Sequence, residues 1–142
     1  MSKAKASWLC IPVLSVAMTA GCTTVSTKDT QLPMSFMNHC AAAEGVSLKY
    51  GSLTIALGER PNNGYGIEVT GQQERAGAYE LIYRERRPQP GRAYAQVMTE
   101  PCVQIILPKG WHSVLVRNQE SGEEWTLMPD DDASLNRVQP AQ

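Results

Sequence analysis

The sequence predicts an all-β fold, a small antiparallel sandwich or open barrel with one short N-terminal helical segment. Three observations carry this. Apolar and polar residues alternate through successive runs between residues 53 and 127, the period of a half-buried strand. The runs recur about every 8–15 residues, separated by the Gly, Pro and Asn that turns require. The chain behind its leader is about 120 residues, enough for one domain with a limited core.

The elements follow in chain order. Lys3 and Lys5 precede an apolar run, "WLCIPVLSVAM" at residues 8–18. A membrane-spanning helix needs about 20 apolar residues, so this run suits a signal-peptide core instead. "TAGC" follows, ending at Cys22, and resembles the lipobox of bacterial lipoproteins, although Thr19 stands where that motif usually carries Leu. The resemblance implies a signal peptide at 1–21 and diacylation of Cys22, with an ordinary secretory signal as the alternative. Several acyl chains on one cysteine hold firmly, at about 0.8 kcal/mol per buried methylene. Thr23, rather than Asp, implies an outer-membrane lipoprotein of a bacterial envelope, facing the periplasm or the cell surface. Residues 22–33 then read as a lipidated N-terminus and flexible tether.

The β domain is expected at 34–128. Residues 34–45, "MSFMNHCAAAEG", look locally helical, with Gly45 as the stop. "SLTIALG" alternates Leu53, Ile55 and Leu57. "GYGIEVTG" alternates Tyr65, Ile67 and Val69. "AYELIYRER" puts Tyr79, Leu81 and Tyr83 on one face, and "AYAQVMT" continues with Ala95 and Val97. "CVQIILP" is apolar on both faces through Ile106, as a central strand is. "HSVLVRN" and "EEWTLMP" flank "QESG", a hairpin signal. "PDDDASLNRVQPAQ", residues 129–142, reads as a polar tail that frays. Its aspartates lack calcium-loop spacing.

Pro61-Asn62-Asn63-Gly64 lies between two strand patterns, and Tyr65 follows. Pro presets φ, while Asn and Gly accept positive φ, so a hairpin loop is the minimum expectation. A phosphate cradle requires a helix after the glycine, and a strand follows here. Pro61, Asn62, Asn63, Gly64 and Tyr65 are therefore candidates for partner contact or for a turn alone. The contact reading is favoured because an aromatic ring adjoins the loop. Trp111, after the turn "LPKG", is a second candidate contact. Tyr65, Tyr79, Tyr83 and Trp125 fall at strand positions that more often build core.

Charge and chemistry narrow the function. The chain has 13 basic and 14 acidic residues. Losing Lys3 and Lys5 takes the formal charge from −1 to −3. Nucleic-acid binders concentrate positive charge, so nucleic acid is not an expected partner. "YRERRPQPGR" is locally basic through Arg84, Arg86, Arg87 and Arg92, and reads as a solvated tip or a contact for an anionic partner surface. Cys10 leaves with the signal and Cys22 takes the lipid. Cys40 and Cys102 remain for a disulfide in an oxidising compartment, with buried free thiols as the alternative. His39 and His112 lack metal-ligand spacing, and no cofactor is expected. Ser113 adjoins His112, but strand neighbours point to opposite faces, so they form no catalytic dyad. An enzyme is not expected.

"LTIALGERPNNGYGIEV" resembles the signature of the PrcB C-terminal-domain family of protease-complex lipoproteins. "RPQPGRAYAQVMTEPCVQIILPK" is similar to a later part of that family through Pro88, Pro90, Gly91, Gln96, Pro101 and the run Val103–Leu107. The resemblance covers about 48–117, and Asn62-Asn63 replace a commoner Thr-Gly. It implies a lipid-anchored envelope module that binds or stabilises a protein partner, with a secreted protease as the partner class. The turn also faintly resembles the loop of chagasin-like protease inhibitors, which implies inhibition through residues 60–65. A structural envelope lipoprotein is the remaining alternative.

Overall fold

The computed structural model describes residues 26–134, with Gly21 and Thr23. The expected signal peptide and the lipidation of Cys22 lie outside the described residues. Among the described residues nine strands run in order: β1 Lys28–Asp29, β2 Met34–Met37, β3 Gly45–Lys49, β4 Ser52–Ala56, β5 Gly66–Arg75, β6 Ala78–Arg86, β7 Cys102–Ile106, β8 Ser113–Asn118 and β9 Glu124–Leu127. A single 3-10 turn, Pro129–Asp131, ends them. They form a five-stranded sheet, β1-β5-β6-β8-β9, and a four-stranded sheet, β2-β7-β4-β3. The fold is all-β and mostly antiparallel, as expected.

One pair departs from that pattern: β6 and β8 are parallel, from Ala78↔Ser113 to Tyr83↔Asn118. After β6 the chain leaves its sheet, runs through β7 in the other sheet and returns. The parallel pairing follows from the distance this connection covers, since a tight hairpin joins only antiparallel strands.

The core lies between the sheets and follows the alternation. Leu53 and Ile55 of β4 and Val103 and Ile105 of β7 are fully buried. Opposite them sit Ile67, Leu81, Tyr83, Val114 and Val116, all buried in the same cluster. Each such aliphatic side chain contributes about 1.5–3 kcal/mol on burial. β7 is central, between β2 and β4, as its sequence suggested. Ile106 nevertheless points out, 51% exposed.

Four expectations need correction. Residues 34–45 are not helical: Met34–Met37 is strand β2, paired with β7 from Met34↔Ile105 to Met37↔Cys102. The edge of β7 supplies backbone partners that outweigh a weak local helix preference. Gly45 opens β3 at φ 120° rather than stopping a helix. Residues 92–98 form no strand, and Val97 and Met98 are exposed. Their alternation has no sheet edge to pair with. The segment 57–65 joins strands of different sheets, so it is a crossover and not a hairpin loop.

Residues within the expected tether and tail also take part in the fold. Lys28 and Asp29 pair with Glu74 and Gln73, and Leu32 is buried with its N–H donating to Gln72 Oε1 at 2.9 Å. At the other terminus Asp132 accepts the N–H groups of Tyr50 and Gly51, at 2.9 and 2.7 Å. This pins the β3–β4 turn, where Tyr50 and Gly51 take positive φ of 54° and 68°, the two-residue geometry that suits the twist of a hairpin. Cys40 and Cys102 are bonded, across a sequence separation of 62.

Candidate functional site

The crossover 57–65 and the long connection 87–101 pack on each other at one end of the sandwich. Arg60 and Thr99 exchange backbone hydrogen bonds, Arg60 N to Thr99 O at 2.8 Å and the reverse at 2.9 Å. Thr99 is 2% exposed, and its hydroxyl donates to Asn62 O at 3.1 Å. A buried hydroxyl without such a partner is costly. Leu57 N donates to Pro101 O at 3.0 Å, just before the disulfide at Cys102.

The asparagines hold the loop together. Asn62 Oδ1 accepts Gly64 N–H at 2.9 Å, an Asx turn. Asn63 Oδ1 accepts Ala95 N–H at 3.0 Å, and Asn63 N–H donates to Ala95 O at 3.3 Å. Gly64 does not take the positive φ that its turn position suggested. It is buried, and a Cβ there meets Pro88 Cγ at 2.8 Å and Asn62 Oδ1 at 2.9 Å. The glycine serves close approach of Pro88 rather than a left-handed backbone. Pro61 and Asn63 are exposed and Tyr65 is half-buried.

Beside the loop, Arg60 and Glu85 form a forked ion pair, Nε–Oε1 at 3.1 Å and Nη2–Oε2 at 3.3 Å, with both side chains about four-fifths covered. The hydrogen bond to Glu85 raises the Arg60 pKa above its ordinary value, so the guanidinium stays charged. This pair floors a cleft of about 450 Å³ whose walls include Glu44, Tyr83, Glu123 and Trp125. The Tyr83 and Trp125 rings lie 6.3 Å apart, centre to centre. Burial, first among its causes, raises the Tyr83 pKa, so the phenol is neutral at physiological pH. Its Oη accepts from Asn118 Nδ2 at 3.5 Å.

The structure brings Pro61, Asn62, Asn63, Gly64 and Tyr65 into one lobe but leaves Trp111 elsewhere. Trp111 is half-buried and packs on the core. It precedes His112, whose N–H donates to Gly77 O at 2.8 Å. Gly77 turns β5 into β6, at the end of both strands remote from Gly66 and Arg86. Tyr79, Tyr83 and Trp125 are core or core-flanking, as their strand positions indicated. Sequence reasoning missed Arg60, Glu85 and Thr99. Their pairing links residues 25 to 39 apart, and no local pattern announces it. Among the described residues no His, Cys, Asp and Glu group is placed to hold a metal, and no helix is long and apolar enough to cross a membrane.

Fold and site define a disulfide-linked β-sandwich with a pinned loop lobe and a cleft at one end. The PrcB C-terminal family model matches residues 53–108. The match runs from β4 through β7 and includes both segments of the lobe. No curated protein and no solved structure matches the chain.

Proposed function

We propose that the chain is a lipid-anchored module of the bacterial envelope that binds and stabilises a protein partner, a secreted protease. The observation that carries this reading is the family match over 53–108, which spans the whole lobe. The geometry suits recognition. A rigid loop with exposed Pro61 and Asn63 stands beside an aromatic and charged cleft, and such mixed surfaces bind with little ordering cost. Cys22 carries the anchor and places the module at the outer membrane. The test is purification of the tagged full chain from solubilised envelopes, followed by identification of bound proteins. A protease that co-purifies supports the proposal, and its absence overturns that partner assignment. Protease activity that is kept or raised on binding supports a stabilising subunit. Stoichiometric loss of that activity identifies an inhibitor.

A further inference from the structure

Beside the lobe lies a second, smaller cleft of about 150 Å³, lined by Gly64, Arg86, Arg87, Gln89, Arg92 and Tyr94. No acidic side chain lines it. Three arginines elsewhere are paired, Arg60 with Glu85, Arg84 with Glu68 at 2.8 Å and Arg117 with Glu124 at 2.6 Å, while among the described residues Arg75 at the far end of β5 stands alone. Among the described residues, the Arg86 and Arg92 guanidiniums have neither an ion pair nor a hydrogen bond. Arg87 has only Glu120, at 3.7 Å, with two-thirds of its side chain exposed.

The arginines are mounted on a fixed frame. Pro88 closes on Gly64. Gln89 N–H donates to Tyr94 Oη at 3.0 Å, and Arg92 N–H donates to Gln89 O at 3.3 Å. Gly91 at φ 79° makes this turn. Ala95 is then tied to Asn63. Arg86, Arg87 and Arg92 therefore line one recess whose walls are internally bonded.

We propose that this cleft binds a carboxylate from an acidic segment of a protein partner, which rests on the reading of the chain as a partner-binding module. A guanidinium fork matches a carboxylate with two parallel hydrogen bonds. The recess, at about 150 Å³, holds a group of that size. The chain as a whole is acidic, so it does not draw polyanions over long range. The cleft also lies toward the end of β5 remote from β1. Gly66 opposite Arg86 marks one end of β5, while Lys28, where the chain joins the domain, pairs with Glu74 near the other. Eight strand residues separate them, about 26 Å at the usual rise.

The test is titration of the isotope-labelled full chain with acetyl-Gly-Asp-Glu-Asp-Gly-amide, following the arginine Nε–H resonances. The Asp and Glu residues replaced by Asn and Gln give the control peptide. The expected result is saturable shifts of Arg86, Arg87 and Arg92 with the acidic peptide only. The double variant Arg86→Gln, Arg92→Gln should weaken binding about tenfold or more, with its backbone spectrum otherwise unchanged. Arg92→Lys should restore only part of it, because an ammonium lacks the fork. Equal shifts with the control peptide overturn the proposal, as does undiminished binding by the double variant. Stronger displacement by inorganic phosphate, or by phosphatidylglycerol vesicles, reassigns the site away from carboxylate. Envelope co-purification separates this from the broader reading. Peptide binding without any co-purified partner refutes the module. A partner retained by the double variant, with no peptide binding, refutes the cleft alone.

Discussion

Gly64 is where a single atom decides. A Cβ meets Pro88 and Asn62 at under 3 Å, and Pro88 is fixed by the turn that follows it. Gly64→Ala should therefore destabilise by about 1–3 kcal/mol, as overpacking does, with a larger loss for Gly64→Val. Urea denaturation measures it, and an unchanged midpoint refutes the close-approach argument. Asn62→Ala and Asn63→Ala each delete an acceptor of one backbone N–H, so each should cost about 0.5–1.5 kcal/mol. Asp132 poses a pH question. Its carboxylate accepts Tyr50, Gly51 and Ser134 N–H groups and the Ser134 hydroxyl at 2.5 Å. These bonds, the Ser134 hydroxyl first, hold its pKa well below the ordinary carboxylate range. A depressed folded pKa stabilises above the unfolded value of about 3.9, and that stability is lost as pH falls. Stability should drop less steeply below about pH 4 in Asp132→Asn than in wild type. Parallel profiles would show that the tail does not report on folding.

At the scale of elements, the disulfide joins the segment after β2 to the start of the central strand. Its loop of 62 residues corresponds to about 4 kcal/mol in the chain-entropy account. Cys40→Ala with Cys102→Ala should lower stability by a similar amount, measured against wild type in urea. A change under about 1 kcal/mol would mean that the β2–β7 ladder already confines the unfolded chain. The cysteine pair was legible because few thiols remain once a leader and a lipid site are set aside. β4 to β9 were legible because Leu53, Ile55, Leu81, Val103 and Val116 alternate and also face one core. β2 was not, because Met34–Met37 carries no alternation and gains its strand geometry from β7. Residues 92–98 misled in the opposite sense, since alternation is necessary for a half-buried strand and insufficient without a free edge. The 57–65 lobe was legible as a turn-rich unit. Its role as a crossover was not, because sheet membership is set by distant pairings such as Arg60 with Thr99.

On the scale of the whole molecule, the two ends of the sandwich face different tasks. β1 lies beside the Arg75–Ala78 turn, and the lobe and both clefts lie toward the Gly66 end of β5. A protein held through Cys22 would thus present its contact surface away from the bilayer. The proposed lipid site, Cys22, precedes β1 in the sequence, and the domain's disulfide uses Cys40 and Cys102. Cys22→Ser should therefore move the protein out of the membrane fraction, or leave its precursor uncleaved, while the folded domain keeps its disulfide. Where processed protein is recovered, its melting temperature should match wild type. Palmitate labelling provides the direct measurement, with incorporation in wild type and none in the variant. Equal incorporation in both would place the lipid elsewhere. Loss of the melting transition in Cys22→Ser would instead show that the residues before β1 belong to the folded unit, and the separation of anchor from recognition end would fail with it.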